Sequence, residues 1–234
     1  ADMARVYYEF DMSLFSKLSS FSRYDQRLSL VGRHRFNKSL SVNMDVANSY
    51  RIIGGDPLSY GLTLTPSLDW RITDWAVLRL PYSFSLSDYS IDVAQALNRD
   101  GQAQRFGFTL FLRPRDVKIS ARIGYGHTSN DTDGDDYDNV SDSMMAGVNY
   151  QLPYKATLDA AYIRISEQYD NLNSFSQLTL KRENDIDILR IDLSKIINNQ
   201  WSVQARYDFI SDDSNISAFQ FDRNVMTVGA TLKY

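Results

Sequence analysis

The stretch "HTSN" sets His127 and Ser129 two residues apart. On an extended strand, side chains at i and i+2 point the same way. An imidazole beside a hydroxyl is the elementary unit of acyl transfer: the ring takes the proton and the oxygen attacks. A third group must orient the ring, and the sequence does not single one out. The same residues also read as a strand end entering the acidic run "SNDTDGDDYDN" at 129–139, an ordinary solvated loop. The only other histidine, His34, lies near a short turn without evident partners.

A larger set of residues points to anion recognition. Arg27, Arg33, Arg35, Arg79, Arg105, Lys118, Arg122, Arg190 and Arg206, with Lys233, alternate with apolar side chains. Glu9, Asp11, Asp45, Asp69, Asp159, Asp192 and Asp208 fall on the same face. Guanidinium forks grip carboxylate and phosphate at two points. Bases outnumber acids on this face although the chain has a formal net charge of −4, so the loops hold the acidic excess. Wrapped round a narrow path, such a face focuses field on passing anions.

Several classes are excluded. There is no cysteine, hence no disulfide and no thiolate metal site. The net negative charge gives no reason to expect a nucleic-acid partner. "IIGGDP" at 52–57 is a loop turn, since no strand–loop–helix context frames it as a phosphate cradle. The acidic residues at 131–138 lack the spacing of a calcium-binding helix–loop–helix. The reading assigns no metal and no cofactor.

Strands must position these residues. "VYYEFDMSL" sets Val6, Tyr8, Phe10, Met12 and Leu14 against Tyr7, Glu9, Asp11 and Ser13. "LSVNMDV", "LTLTPSLDW", "VKISARIGY", "ILRIDLS" and "WSVQARYDF" repeat the same period of two. About twelve such segments occur, each near the ~9–11 residues that cross a bilayer at a tilt. Connections alternate between short (36–39, 71–75, 113–116, 153–155, 197–200) and long (15–24, 49–60, 87–104, 126–142, 165–186, 210–223). Tight turns on one side and long loops on the other mark a membrane barrel. The third long loop holds one helix candidate, "DVAQALNR" at 92–99, placed to fold into the mouth.

A soluble β-sandwich also alternates, but three features oppose it. Trp70, Trp75, Tyr125, Tyr150, Tyr162, Trp201 and Tyr207 sit at the ends of the apolar face, as interfacial girdles do. Charges recur at the middles of strands, and the strands are long and evenly spaced. A mean hydropathy of −0.37 is no objection, because lipid meets only every second residue. The expectation is an all-β fold: a closed antiparallel transmembrane β-barrel of about twelve strands in an up-and-down meander, with residues 1–234 as one domain.

The closing "GATLKY" is similar to the C-terminal signature of Gram-negative outer-membrane barrels, an aromatic end with alternating hydrophobic residues before it. The resemblance implies a bacterial outer-membrane location, with long loops extracellular and both termini periplasmic. It also implies a wall in contact with outer-membrane lipid and lipopolysaccharide. Gly229, Leu232 and Tyr234 would be read by the barrel assembly machinery. The last hairpin is similar to barrel domains fused to tetratricopeptide repeats in surface-export proteins, which implies an alternative translocation role with a periplasmic partner. "HTSN" resembles the His-x-Ser-Asn motif of outer-membrane phospholipase A and the lipid A deacylase, implying His127 as base and Ser129 as nucleophile. Asp131 departs from the small residue of the phospholipase motif. By analogy with small channels for acidic sugars, the leading expectation is non-enzymatic: passive diffusion of small polar or anionic solutes, such as acidic oligosaccharides, through a basic lumen.

Overall fold

The computed structural model describes residues 2–14, 20, 22–90, 97–177 and 179–232. Twelve strands follow one another: β1 (Met3–Ser13), β2 (Arg23–Arg35), β3 (Leu40–Ile53), β4 (Asp56–Thr73), β5 (Ala76–Tyr89), β6 (Gly101–Leu112), β7 (Ile119–Thr132), β8 (Asn139–Leu152), β9 (Ala156–Leu172), β10 (Lys181–Ile196), β11 (Trp201–Ser214) and β12 (Phe221–Leu232). They form one antiparallel sheet in sequence order, the meander expected. The seam expected between β1 and β12 carries no backbone pairing among the described residues. Tyr234 and Lys233 lie outside the described residues, as do residues 92–96 of the helix candidate.

The strands are longer than expected, from 11 residues in β1 to 18 in β4. They absorb much of the sequence assigned to long loops. The connection placed at 49–60 shrinks to Gly54 and Gly55, whose φ angles of 65° and 102° favour glycine. An apolar stripe marks only the part of a strand that meets lipid. Backbone pairing needs no such stripe, so the strands continue past it.

Five outward tyrosines show where that stripe ends. Tyr82 pairs with Phe106 and Phe106 with His127, two residues beyond Tyr125. Tyr125 pairs with Met144 and Met144 with Arg164, two beyond Tyr162. Tyr162 pairs with Leu189 and Leu189 with Phe209, two beyond Tyr207. Traced from Tyr8 through Leu28, Asn48 and Leu62 to Leu86, the register ends four residues from Tyr82 after four strands. The slip is constant at roughly one residue per strand, as a level ring requires when strands tilt. Each hydroxyl donates to a polar side chain on the next strand: Tyr8 to Gln26 at 3.4 Å, Tyr82 to Gln104 at 3.2 Å, Tyr125 to Asp142, Tyr162 to Asp187, and Tyr207 to Asn224 at 2.6 Å. Below this ring the outer wall is apolar down to the exposed Trp70, Tyr150 and Trp201 near the short turns.

Candidate functional site

The polar face is the concave one. A cavity of about 630 Å³ is lined by Arg33, Asp69 and Arg79 of β2, β4 and β5, and by Arg122, Asn149 and Asp159 of β7–β9. Another, of about 350 Å³, lies toward the long loops and is lined by Glu9, Asp11, Arg27, Arg51 and Tyr89 among others.

In the short-turn half, most predicted arginines meet carboxylates. Asp69, only 7% exposed, accepts from Arg79 at 2.7 and 3.1 Å and from Asn43 at 3.1 Å, with Arg33 at 4.0 Å. Asp159 accepts two bonds of 2.7 Å from Arg122, and Asn149 donates to it at 3.4 Å. Arg190 donates to Asp208 at 2.6 Å and Arg206 to Asp192 at 2.7 Å. Arg122 lies flat because residue 147 is glycine; a Cβ there would stand 3.0 Å from its guanidinium carbon. Most of the bases expected on this face in that half are thus engaged by its acids. Register sets Arg79 opposite Asp69, Arg190 opposite Asp208 and Arg206 opposite Asp192, and Arg122 reaches across β8 over Gly147 to Asp159 of β9, so these four arginines are largely compensated. Lys118 is not on a strand but in the turn before β7.

Three predicted arginines lack such partners, Arg35 among them, whose guanidinium donates to the Asn37 and Lys38 carbonyls at 3.1 and 3.2 Å. Arg27 stands opposite Glu9 in register, yet its Nε donates to Ser29 at 3.2 Å and forms no ion pair within 4 Å among the described residues. Arg105 donates to Ser143 at 3.5 Å across Gly126, with no carboxylate partner among the described residues. Of the acids, Asp11 stands opposite Asp25, which Arg23 and Arg51 hold, the latter at 2.5 Å. Asp45 keeps one buried oxygen unpartnered among the described residues. Gly229 faces the lumen opposite Gln204, and Leu232 faces outward beside Trp201.

The sequence reading missed an aliphatic wall. Met145 pairs with Ile163, Ile163 with Ile188 and Ile188 with Ile210; Ile165 pairs with Ile186. Through Ile163–Ala161–Asp159 and Ile188–Arg190, all lie on the lumen face, above the ion pairs. The signal was present as a change of phase. In "LDAAYIRISEQ" the apolar positions run 158, 160, 162 and then 163, 165.

Above that wall the loops are tied down. Arg182, 6% exposed, lies 3.6 Å from the Tyr169 ring centre and 4.1 Å from that of Phe219. Glu167 accepts from Tyr169 and Asn184, both at 3.1 Å. The acidic loop serves the chain itself: Asp136 accepts from the Ser174 backbone at 2.9 Å, and Asp138 from that of Thr132 at 2.6 Å. No group of three or more candidate metal ligands assembles among the described residues.

On the outer wall, His127 and Ser129 lie within β7 and face outward as expected. The orienting partner that the sequence did not reveal is Asp142, whose Oδ1 lies 3.0 Å from His127 Nδ1. Tyr125 donates to the same oxygen. No hydrogen bond links His127 to Ser129 among the described residues. His34 pairs with Asp2 at 2.9 Å.

No protein-family profile and no curated protein matches the chain. Solved structures do. OmpT, an outer membrane protein of Vibrio cholerae, superposes with a TM-score of 0.54 at 8% identity, covering 100% of this chain and 95% of that one. The KdgM porin in complex with disordered oligogalacturonate gives 0.46 at 12% identity, covering 100% and 99%. The translocator domain of the autotransporter NalP from Neisseria meningitidis gives 0.45 at 10%, covering 100% and 86%. The first of these establishes the fold; the identities are too low to establish more.

Proposed function

From the fold of a bacterial outer-membrane β-barrel, with its outer wall against lipid, we propose that this chain is a passive channel for small polar and anionic solutes, acidic oligosaccharides among them. The reading needs the free edges of β1 and β12 to pair in the bilayer, where unsatisfied backbone groups are costly. It takes residues 1–234 as one domain, the long loops as extracellular and the termini as periplasmic. Insertion by the barrel assembly machinery and contact with lipopolysaccharide belong to the same proposal. The observation that carries it is the lumen wall itself: arginines without carboxylate partners, Arg27 and Arg105, stand above a belt of matched pairs. Compensated pairs wet the path without selecting charge, while an uncompensated guanidinium favours anions.

Single-channel recording in a planar bilayer under a KCl gradient tests this. The wild type is expected to pass current with a reversal potential favouring chloride. Arg105→Ala should lower the chloride preference about twofold. Absence of open current in the folded protein sinks the channel reading.

One observation favours a second reading, lipid hydrolysis. Asp142 holds His127 on the outer wall just above the tyrosine ring, with Ser129 one pleat away, an arrangement suited to a base–nucleophile pair at the membrane edge. Phospholipid turnover by the wild type that Ser129→Ala abolishes would support it. No turnover by the wild type ends it.

A further inference from the structure

The cavity at the short-turn end holds more positive charge than its pairs consume. Five arginines line it, Arg33, Arg71, Arg79, Arg113 and Arg122, against three aspartates, Asp69, Asp74 and Asp159. Every one of those carboxylates is already engaged. Arg79 and Arg33 hold Asp69, Arg122 holds Asp159, and Arg115 from the next turn holds Asp74. Arg71 and Arg113 form no ion pair within 4 Å among the described residues. They are brought to one mouth by the sheet: Arg71 stands opposite Val77 at the end of β4, and the Arg113 backbone donates to the Trp75 carbonyl at 2.7 Å. Two aromatic side chains complete the lining, Trp75 and Phe111. Phe111 already carries the Arg79 guanidinium 5.4 Å from its ring centre. A volume of about 630 Å³ lies within the range of small-ligand sites, which pair apolar walls with a few directed polar groups.

We propose that this mouth is a binding site for a small organic anion carried on a ring that presents an apolar face, with Arg71 and Arg113 taking the anionic group and Trp75 and Phe111 the ring face. The inference rests on the channel reading and adds a site and a ligand class to it. Two kinds of molecule share that chemistry: an aromatic carboxylate and a uronate sugar, whose ring carbons present an apolar face. Inorganic or aliphatic anions offer the charge without the face, and a neutral ring offers the face without the charge.

The test is tryptophan quenching of the refolded protein in liposomes, titrated with benzoate, glucuronate, acetate and benzyl alcohol. Benzoate or glucuronate should bind at least about tenfold more tightly than acetate and benzyl alcohol, the tighter of the two naming the ring. The double variant Arg71→Gln, Arg113→Gln should lose about tenfold in affinity, while Arg105→Gln should not. Heat-modifiable gel migration confirms that each variant is folded. Acetate binding as tightly as benzoate and glucuronate overturns the proposal, as does full affinity in the double variant. KCl conductance is recorded separately. Current without ring-anion binding sinks this inference alone; binding without current sinks only the channel.

Discussion

The two ends of the barrel wall obey opposite rules. Toward the short turns the inside is ionic and the outside apolar. Asp69, Asp159 and Asp192 meet arginines inside while Leu68, Leu158 and Leu193 face out. Toward the long loops, on β8–β11, the arrangement inverts. Ile163, Ile165, Ile186 and Ile188 turn inward, and the outside carries Arg164 at 3.0 Å from Asp185 and 3.7 Å from Asp187. The tyrosine ring sits where the rule changes. Below it the solvent outside is lipid, so apolar side chains face out and the lumen collects the charge. Above it both sides face water, and the wall behaves as a soluble sheet with its apolar side turned in. One strand can follow both rules because only the phase of its alternation has to shift.

The largest expected effect comes from placing charge outside, on either side of that boundary. Leu193→Arg puts a guanidinium on the outer wall of β10 opposite Ala205, between the levels of Tyr207 and Trp201, and should destabilise by about 2–4 kcal/mol. Ser166→Arg, above the ring on β9, should cost about 0–1 kcal/mol. Urea titration of the protein refolded in liposomes reads both. Equal costs would mean that the tyrosines do not mark the membrane boundary.

The lumen gives the next largest contrast. Asp159→Ala removes both acceptors of Arg122 and leaves a half-buried guanidinium uncompensated. Breaking a fully buried pair costs about 3–5 kcal/mol, and lumen water should reduce this to about 1–2 kcal/mol. The reversal potential should move toward chloride, since one negative charge has left. Deleting Asp69 and Arg79 together removes one charge of each sign. Selectivity should then stay unchanged, whereas Arg105→Ala alone lowers the chloride preference about twofold. A pair deletion that moves selectivity as far as Arg105→Ala would show that the pairs are not neutral to a passing ion.

This boundary also explains what was legible in the sequence. Strand number, order and the outward face followed from one period-two stripe, because lipid imposes it on every strand. The ends of β9 and β10 were not legible that way. "IRISEQ" and "NDIDI" carry apolar residues on the other phase, and a reading tuned to one phase takes them for loop. The lumen arginines were found, but not their state of charge. Whether Arg79 is free or matched depends on register, which sets Asp69 directly opposite it, and register follows from turn length rather than composition. Asp142 was hidden for the same reason: it lies across the strand from His127, 15 residues on.

The smallest effect tests the ring itself. Tyr82→Phe keeps the aromatic body in lipid and removes only the hydroxyl that donates to Gln104 at 3.2 Å. A neutral hydrogen bond contributes about 0.5–1.5 kcal/mol net, and this one lies on an exposed wall, so about 0.5 kcal/mol is expected. Tyr162→Phe removes a bond to a carboxylate, Asp187, that also faces Arg164. Charge-assisted bonds are roughly twice as strong, so its cost should be about double. If both tyrosines cost the same, the polar groups above the ring act only as hydrated headgroup-level side chains. If Tyr162 costs more, the ionic outer wall of β9 and β10 is a fixed structure that the ring helps to hold.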